Sequence, residues 1–248
     1  LSQSNNAMYG KLYENLVGDD NGSFQLENTP EARRDFLMRY AKANTDWFDL
    51  LFRNSFMQEH SISIQYGTEK SQSYFSTSFL ADNGWTIGDK VKRYTLNFRN
   101  NYKFSEKVSA SFSTLGSVRD QRAPGALARR SNPVEGRYDR DFDINPFSYA
   151  LNTSRAVTAY DEKGGLEYFN RNFTPFNIID ELANNYLTIK MIDLRLQGDL
   201  SYKFAKNFRY DFLGAIRMVK TGREHQIREN ANMANAYRSA KTAPSGRL

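Results

Sequence analysis

From Ile192 to Phe204 apolar and polar side chains alternate almost without fault. Ile192, Leu194, Leu196, Gly198, Leu200, Tyr202 and Phe204 share one parity, and Asp193, Arg195, Gln197, Asp199, Ser201 and Lys203 the other. A period of two is the mark of an extended strand with one apolar and one polar face. Six such segments occur, and they come in pairs. Residues 60–66 and 73–81 are joined through a short polar stretch at 67–72, residues 92–104 and 107–118 through Ser105 and Glu106, and residues 189–204 and 207–220 through Ala205 and Lys206. Each pair predicts an antiparallel hairpin.

The connections between hairpins are of another kind. Residues 82–91 form a moderate loop, and 119–188 run for about seventy residues, longer than a compact soluble domain ordinarily holds. Short turns at one end and long loops at the other are the asymmetry of outer-membrane barrels, with turns in the periplasm and loops outside. Aromatic residues gather near the short turns: Tyr66, Tyr74 and Phe75 at the first, Tyr102 and Phe104 at the second, Tyr202, Phe204, Phe208 and Tyr210 at the third. Amphipathic rings at one level suit a headgroup girdle. They equally suit the strands of a soluble core. The segments from Lys92, Lys107, Ile189 and Asn207 each supply at least the roughly 9 to 11 residues that a tilted membrane strand needs, about twice an ordinary globular strand. Pattern alone therefore leaves two architectures open: an antiparallel transmembrane β-barrel, and a soluble sandwich or curved sheet.

Helical signals lie outside the strands. Thr29-Pro30-Glu31 reads as a cap and first turn leading into residues 32–43, Asn44 or Thr45 as a cap for 46–52, and Thr174-Pro175 as the opening of a short helix through 176–186. These predict small helices within loops of an all-β chain.

Composition changes the picture less than the pattern does. The 248 residues are 40% hydrophobic, 14% aromatic and 25% charged, and mean hydropathy is -0.70. That excludes helical membrane proteins only, since barrel strands give every second residue to a polar interior. The chain has no cysteine, which removes disulfides and thiolate metal sites. Its net charge of +6 is dispersed in short pairs such as Lys92-Arg93 and Arg129-Arg130, not gathered along a stripe that tracks phosphates, so nucleic acid is not an expected partner. The chain opens on Leu1 with no basic segment ahead of an apolar core, which we read as a removed signal or an interior piece of something longer.

A search for reaction chemistry finds little. The glycine-rich phosphate loop, the zinc-protease helix and the nucleophile elbow are all missing. His60 and His225 are the two histidines, one at a strand start and one in a loop, and both read as polar surface or rim residues. Asp139, Asp141 and Asp143 open with the rhythm of a calcium loop, but Ile144 stands where glycine is needed and Ala150 where the closing acid is needed. Neither a catalytic residue, a metal site nor a cofactor is expected, and the chain is not expected to be an enzyme. Arg99, Asp193, Arg195, Asp199, Asp211 and Arg217 fall on the polar parity; if the apolar faces meet lipid, these point into the lumen, since an Arg or Lys on the lipid face costs about 2 to 4 kcal/mol.

Two blocks resemble a known family. Residues 44–85, "NTDWFDLLFRNSFMQEHSISIQYGTEKSQSYFSTSFLADNGW", are similar to an early-barrel stretch of the SusC/RagA family of TonB-dependent outer-membrane importers, and residues 176–238 resemble the same family further along. The resemblance implies about six strands of a 22-stranded barrel. The whole of 1–248 would belong to the receptor's β-barrel domain, with 119–188 as a long extracellular loop and the plug and remaining strands absent. It also implies a bacterial outer-membrane location, a SusD-like surface lipoprotein as partner, the TonB-ExbB-ExbD system acting through the missing plug, and an oligosaccharide or peptide as cargo.

Under that reading Trp85, Tyr138, Asp139, Arg140 and Asp141 are loop candidates for contact with cargo or lipoprotein, and Arg99, Asp193, Arg195, Asp199 and Arg217 are lumen-facing candidates. Two rivals stay open from sequence: a soluble all-β carbohydrate-binding module, and an outer-membrane enzyme.

Overall fold

The computed structural model describes residues 3–16, 25–125, 130–132, 137–139, 144–171 and 174–242. Six long strands, β1 (Met57–Gly67), β2 (Ser71–Asp82), β3 (Lys90–Lys103), β4 (Val108–Pro124), β9 (Asn185–Ala205) and β10 (Phe208–Ile227), form one antiparallel sheet in chain order. Two small ribbons lie in the long connection, β5 (Arg130–Asn132) with β6 (Arg137–Asp139) and β7 (Phe169–Arg171) with β8 (Thr174–Phe176). Six short helices, α1 (Gln3–Leu16), α2 (Pro30–Lys42), α3 (Trp47–Leu51), α4 (Pro146–Asn152), α5 (Ile178–Asn184) and α6 (Asn232–Thr242), all lie outside the sheet.

Cross-strand pairing carries the parity of one strand to the next, because directly opposed residues share a face. One row runs Ile62, Thr77, Leu96, Gly116, Leu194, Met218, and another Ile64, Phe75, Phe98, Thr114, Leu196, Ile216. The other face carries Ser63, Ser76, Asn97, Leu115, Arg195 and Arg217 in one row, and Gln65, Tyr74, Arg99, Ser113, Gln197 and Ala215 in the next. Every strand thus contributes its oily side to one surface, which nothing covers among the described residues: Ile216 is 73% exposed and Ile62 67%.

The apolar band has a definite height. From Ile192 to Tyr202 is ten residue steps, about 33 Å along the strand. With a tilt of about 40° this becomes about 25 Å, the height of an outward apolar band. Tyr102 packs on Phe104 at 4.7 Å, Tyr202 on Phe204 at 6.2 Å and Phe204 on Phe208 at 5.7 Å, which places a girdle beside the second and third turns. Tyr74 departs from the expectation: it pairs with Gln65 and Arg99 on the polar face, so it is no part of that girdle.

The turns are closed by their own polar groups. Thr68 Oγ1 accepts from Ser71 N–H at 3.1 Å, and Ser105 Oγ accepts from the amides of Lys107 and Val108 at 3.2 and 3.1 Å. At the other end the ladders outrun the sequence reading. β4 continues to Pro124 and β9 begins at Asn185, which reduces the long connection to 125–184. Here polar and charged residues extend the pairing past the apolar band, where periodicity no longer signals it. His225, read as a loop residue, belongs to β10, and its Nε2 lies 2.6 Å from Asn185 Oδ1.

The loop helices obey local capping rules with two corrections. Thr29 caps α2 as expected, its Oγ1 accepting from Ala32 N–H at 3.2 Å. The cap of α3 is Asp46, not Asn44 or Thr45, with Oδ1 accepting from Phe48 and Asp49 at 3.0 and 3.1 Å. Thr174-Pro175 opens no helix; both residues pair in β8, and Asn177 caps α5 by accepting from Ile179 N–H at 2.9 Å. Tertiary bonds override the cap there, since Thr174 donates to the carbonyl of Asn232 at 3.2 Å and accepts from its side chain at 2.7 Å.

The loops share a core beyond the sheet's end. Tyr40, Trp47, Leu51, Ile144, Val157, Phe169, Ile178 and Leu182 are buried together, with Ile87 of the β2–β3 loop packed against them. Glu167, 4% exposed, ties the pieces: it accepts from Tyr40 Oη at 2.7 Å, pairs with Arg39 Nη2 at 2.8 Å and also binds Thr158 Oγ1. Burial, and then this carboxylate, push the Tyr40 hydroxyl above its ordinary range, which keeps it a donor. Removing one member of a buried ion pair strands the other. We expect Glu167→Ala to weaken the loop core by about 3 kcal/mol while leaving the sheet intact, measured as faster hydrogen exchange across α2 and 144–171 with unchanged exchange in β3, β4 and β9.

Candidate functional site

The polar face of the sheet offers a continuous field of hydrogen-bonding groups. Asp193 and Arg217 lie on adjacent strands and meet in a two-pronged pair, Nε to Oδ1 at 3.0 Å and Nη2 to Oδ2 at 2.7 Å. Arg195 donates to Gln197 Oε1 at 2.9 Å, and Gln197 donates in turn to Asp199 at 3.3 Å. Asp199 also accepts from Ser111 Oγ at 2.8 Å. Arg99 faces Tyr74 and Ser113. All five lumen-facing candidates therefore share one surface, as their parity requires. Two open concavities on that surface, of about 630 and 600 Å³, hold Asp199 and Asp211 in one and Arg99 with Tyr74 in the other. Such a face presents hydrogen-bond donors and acceptors of both charges side by side.

Trp85 sits in the β2–β3 loop and is 58% exposed. Its backbone is held, since Arg53 N–H donates to Trp85 O at 2.8 Å and Ile87 N–H to Leu51 O at 3.0 Å. Gly84 before it has φ +62, and a Cβ there would press on Asp89. The indole lies 5.1 Å from Phe52, which stacks on Phe48 at 5.4 Å, and Phe147 of α4 meets Phe48 edge-on at 6.0 Å. Trp85 is thus one corner of a four-ring surface that sequence reading missed. No local pattern joins these rings, because Phe48 and Phe52 come from α3 and its end, Trp85 from the β2–β3 loop and Phe147 from α4, all distant in the chain.

The acidic loop candidates fare differently. Tyr138 and Asp139 fall in β6, opposite Ser131 and Arg130, while Arg140 and Asp141 lie outside the described residues. Among the described residues no group of three or more His, Asp and Glu side chains is placed to hold a metal ion.

Comparison with solved structures places this geometry. The chain superposes on the RagAB peptide transporter with a TM-score of 0.61 over 92% of its length at 14% identity. The fold matches a stretch of the RagAB chains. The importer in its 'closed-closed' state gives a TM-score of 0.59 over 76% of this chain at 15% identity, and the 'open-open' state 0.57 over 91% at 13%. The chain spans 20 to 26% of the length of these RagAB chains. Neither a protein-family model nor a curated protein matches the sequence. At these identities the likeness to RagAB establishes the fold, an antiparallel β-barrel wall with long loops. No helix among the described residues is long and apolar enough to cross a membrane, which leaves crossing by strands unaffected.

Asp46 gives the loop surface a pH dependence. The Asp49 amide first, and then Arg155 at 3.0 Å, hold its carboxyl below the usual 3.8. Because the folded value is depressed, the cap is at full strength above 3.8 and is lost as pH falls through the lower folded value. Hydrogen exchange at Phe48 and Asp49, corrected for intrinsic rate, is expected to accelerate as pH falls below 3.8 and through the depressed folded value. Asp46→Asn, which caps without titrating, is expected to remove that step.

Proposed function

We propose that this chain is part of the wall of a TonB-dependent outer-membrane importer of the SusC/RagA type, carrying peptides or oligosaccharides with a SusD-like surface lipoprotein. The observation that supports it most is the sheet itself: six strands that put their apolar sides on one face, over a height of about 25 Å, and Arg99, Asp193, Arg195, Asp199 and Arg217 on the other. The long loops lie outside the cell and the short turns in the periplasm. Cargo is captured among the loops, passes the hydrated face bearing Arg99, Asp193, Arg195, Asp199 and Arg217, and is released inward when the TonB-ExbB-ExbD system acts on a plug carried elsewhere in the protein. Transport of this kind breaks no bond, so we assign no catalytic residue. The RagAB chains are described as peptide importers, which favours peptide over glycan as the first cargo to test.

Ile216 and Leu213 are both exposed, 73% and 61%, and lie on opposite faces of β10. The chain has no cysteine of its own. Spin labels placed by Ile216→Cys and Leu213→Cys in the membrane-embedded protein are expected to divide, the first relaxed by oxygen dissolved in lipid and the second by a water-soluble nickel chelate. Equal access of both labels to the chelate would sink the barrel reading. Uptake of a labelled oligopeptide is expected to vanish in cells lacking the gene and in cells whose proton gradient is collapsed. Uptake that persists without the gradient argues against coupling to TonB.

A further inference from the structure

The two borders of the apolar face differ in charge. At the turn end it finishes in Tyr66, Tyr102, Tyr202 and Tyr210 with no charged residue in those rows. At the loop end one row runs Ala81, Lys92, Asp120, Lys190, Gly222, the next row toward the loops carries Lys90, Arg122 and Glu224, and Lys220 stands one row below, beside Ile192. Five cations thus face two carboxylates on the side of the sheet that meets lipid. Lys92, Lys190 and Lys220 are exposed and make no ion pair among the described residues.

Their spacing is set by the sheet. Lys92 and Lys190 are two strands apart, about 10 Å at the usual inter-strand distance. Lys190 and Lys220 are diagonal neighbours, about 7 to 8 Å apart. Half-buried Asp120 stands between Lys92 and Lys190 in their row, while Lys190 and Lys220 are neighbouring ammonium groups with no carboxylate between them. Directly below them the apolar surface begins with Ile192 and with Phe79 and Tyr94, whose rings meet at 5.0 Å.

We propose that this rim binds the phosphorylated headgroup of an anionic lipid in the leaflet next to the loops, with Lys92, Lys190 and Lys220 as its ligands and the acyl chains lying down the apolar face. Apolar surface and free ammonium groups meet here at one level, which is what an anionic lipid presents in reverse: chains below, phosphate above. Basic residues at a membrane surface attract anionic headgroups in this way. The inference rests on the barrel reading above.

The test uses the full-length protein purified from membranes in detergent, with native mass spectrometry after adding phosphatidylglycerol or phosphatidylcholine. Wild type is expected to retain phosphatidylglycerol in preference. Lys92→Gln/Lys190→Gln/Lys220→Gln is expected to lose that retention by about tenfold or more. Lys103→Gln/Lys203→Gln, on the polar face, serves as the control and is expected to keep it. Equal retention of both lipids by wild type, or undiminished phosphatidylglycerol on the triple variant, overturns the proposal while the barrel reading stands. Recovery of the protein in the soluble fraction overturns both.

Discussion

Strand register is the constraint on which everything else depends. Because side chains alternate with a period of two, a slip of one residue between any two strands would turn an entire strand's apolar set onto the polar face. Six strands keep step here, from Ile64 opposite Phe75 at one edge to Leu196 opposite Ile216 at the other. The short turns do much of this work. A hydroxyl from Thr68 or Ser105 fixes the place where the chain reverses, and the register follows up the whole ladder.

That register sorts the side chains by polarity. One face is apolar, with no charge between the aromatic girdle and the lysine rim. On the other, Asp193 with Arg217 and Asp199 with Ser111 and Gln197 satisfy one another at the surface, where exposed pairs contribute little to stability but fix how the polar groups are oriented. The backbone of such a sheet keeps its hydrogen bonds whatever lies beside it, which is why strands can cross a membrane at all.

Beyond the ladders the logic changes from alternation to burial. The segments around 30–52 and 144–184 are separated by four long strands and part of the long connection, yet they close on one core with a buried carboxylate at its centre. Glu167 joins α2 to the loop through Arg39 and Tyr40, and Asn232 ties α6 to β8 and to Glu181. The aromatic surface formed by Phe48, Phe52, Trp85 and Phe147 is presented by this core, so its geometry is only as firm as these polar ties.

How much of this was legible in the sequence follows from the range of each interaction. The six strands, their pairing as hairpins and the membership of Arg99, Asp193, Arg195, Asp199 and Arg217 on one face are written in local alternation. The capping of α2 by Thr29 is local as well, and was equally legible. Strand ends past the apolar band were not, since pairing continued through residues without the pattern. The helix expected from Thr174-Pro175 was overruled by Asn232, far along the chain, and Tyr74 was misplaced because nearness to a turn does not report parity. By itself the sequence determined which side of each strand is oily, because a two-residue period needs no partner to be read. Only the tertiary structure decided which rings join Trp85, which cations line up across three strands and which carboxylate is buried, because each of those depends on residues brought together from distant parts of the chain.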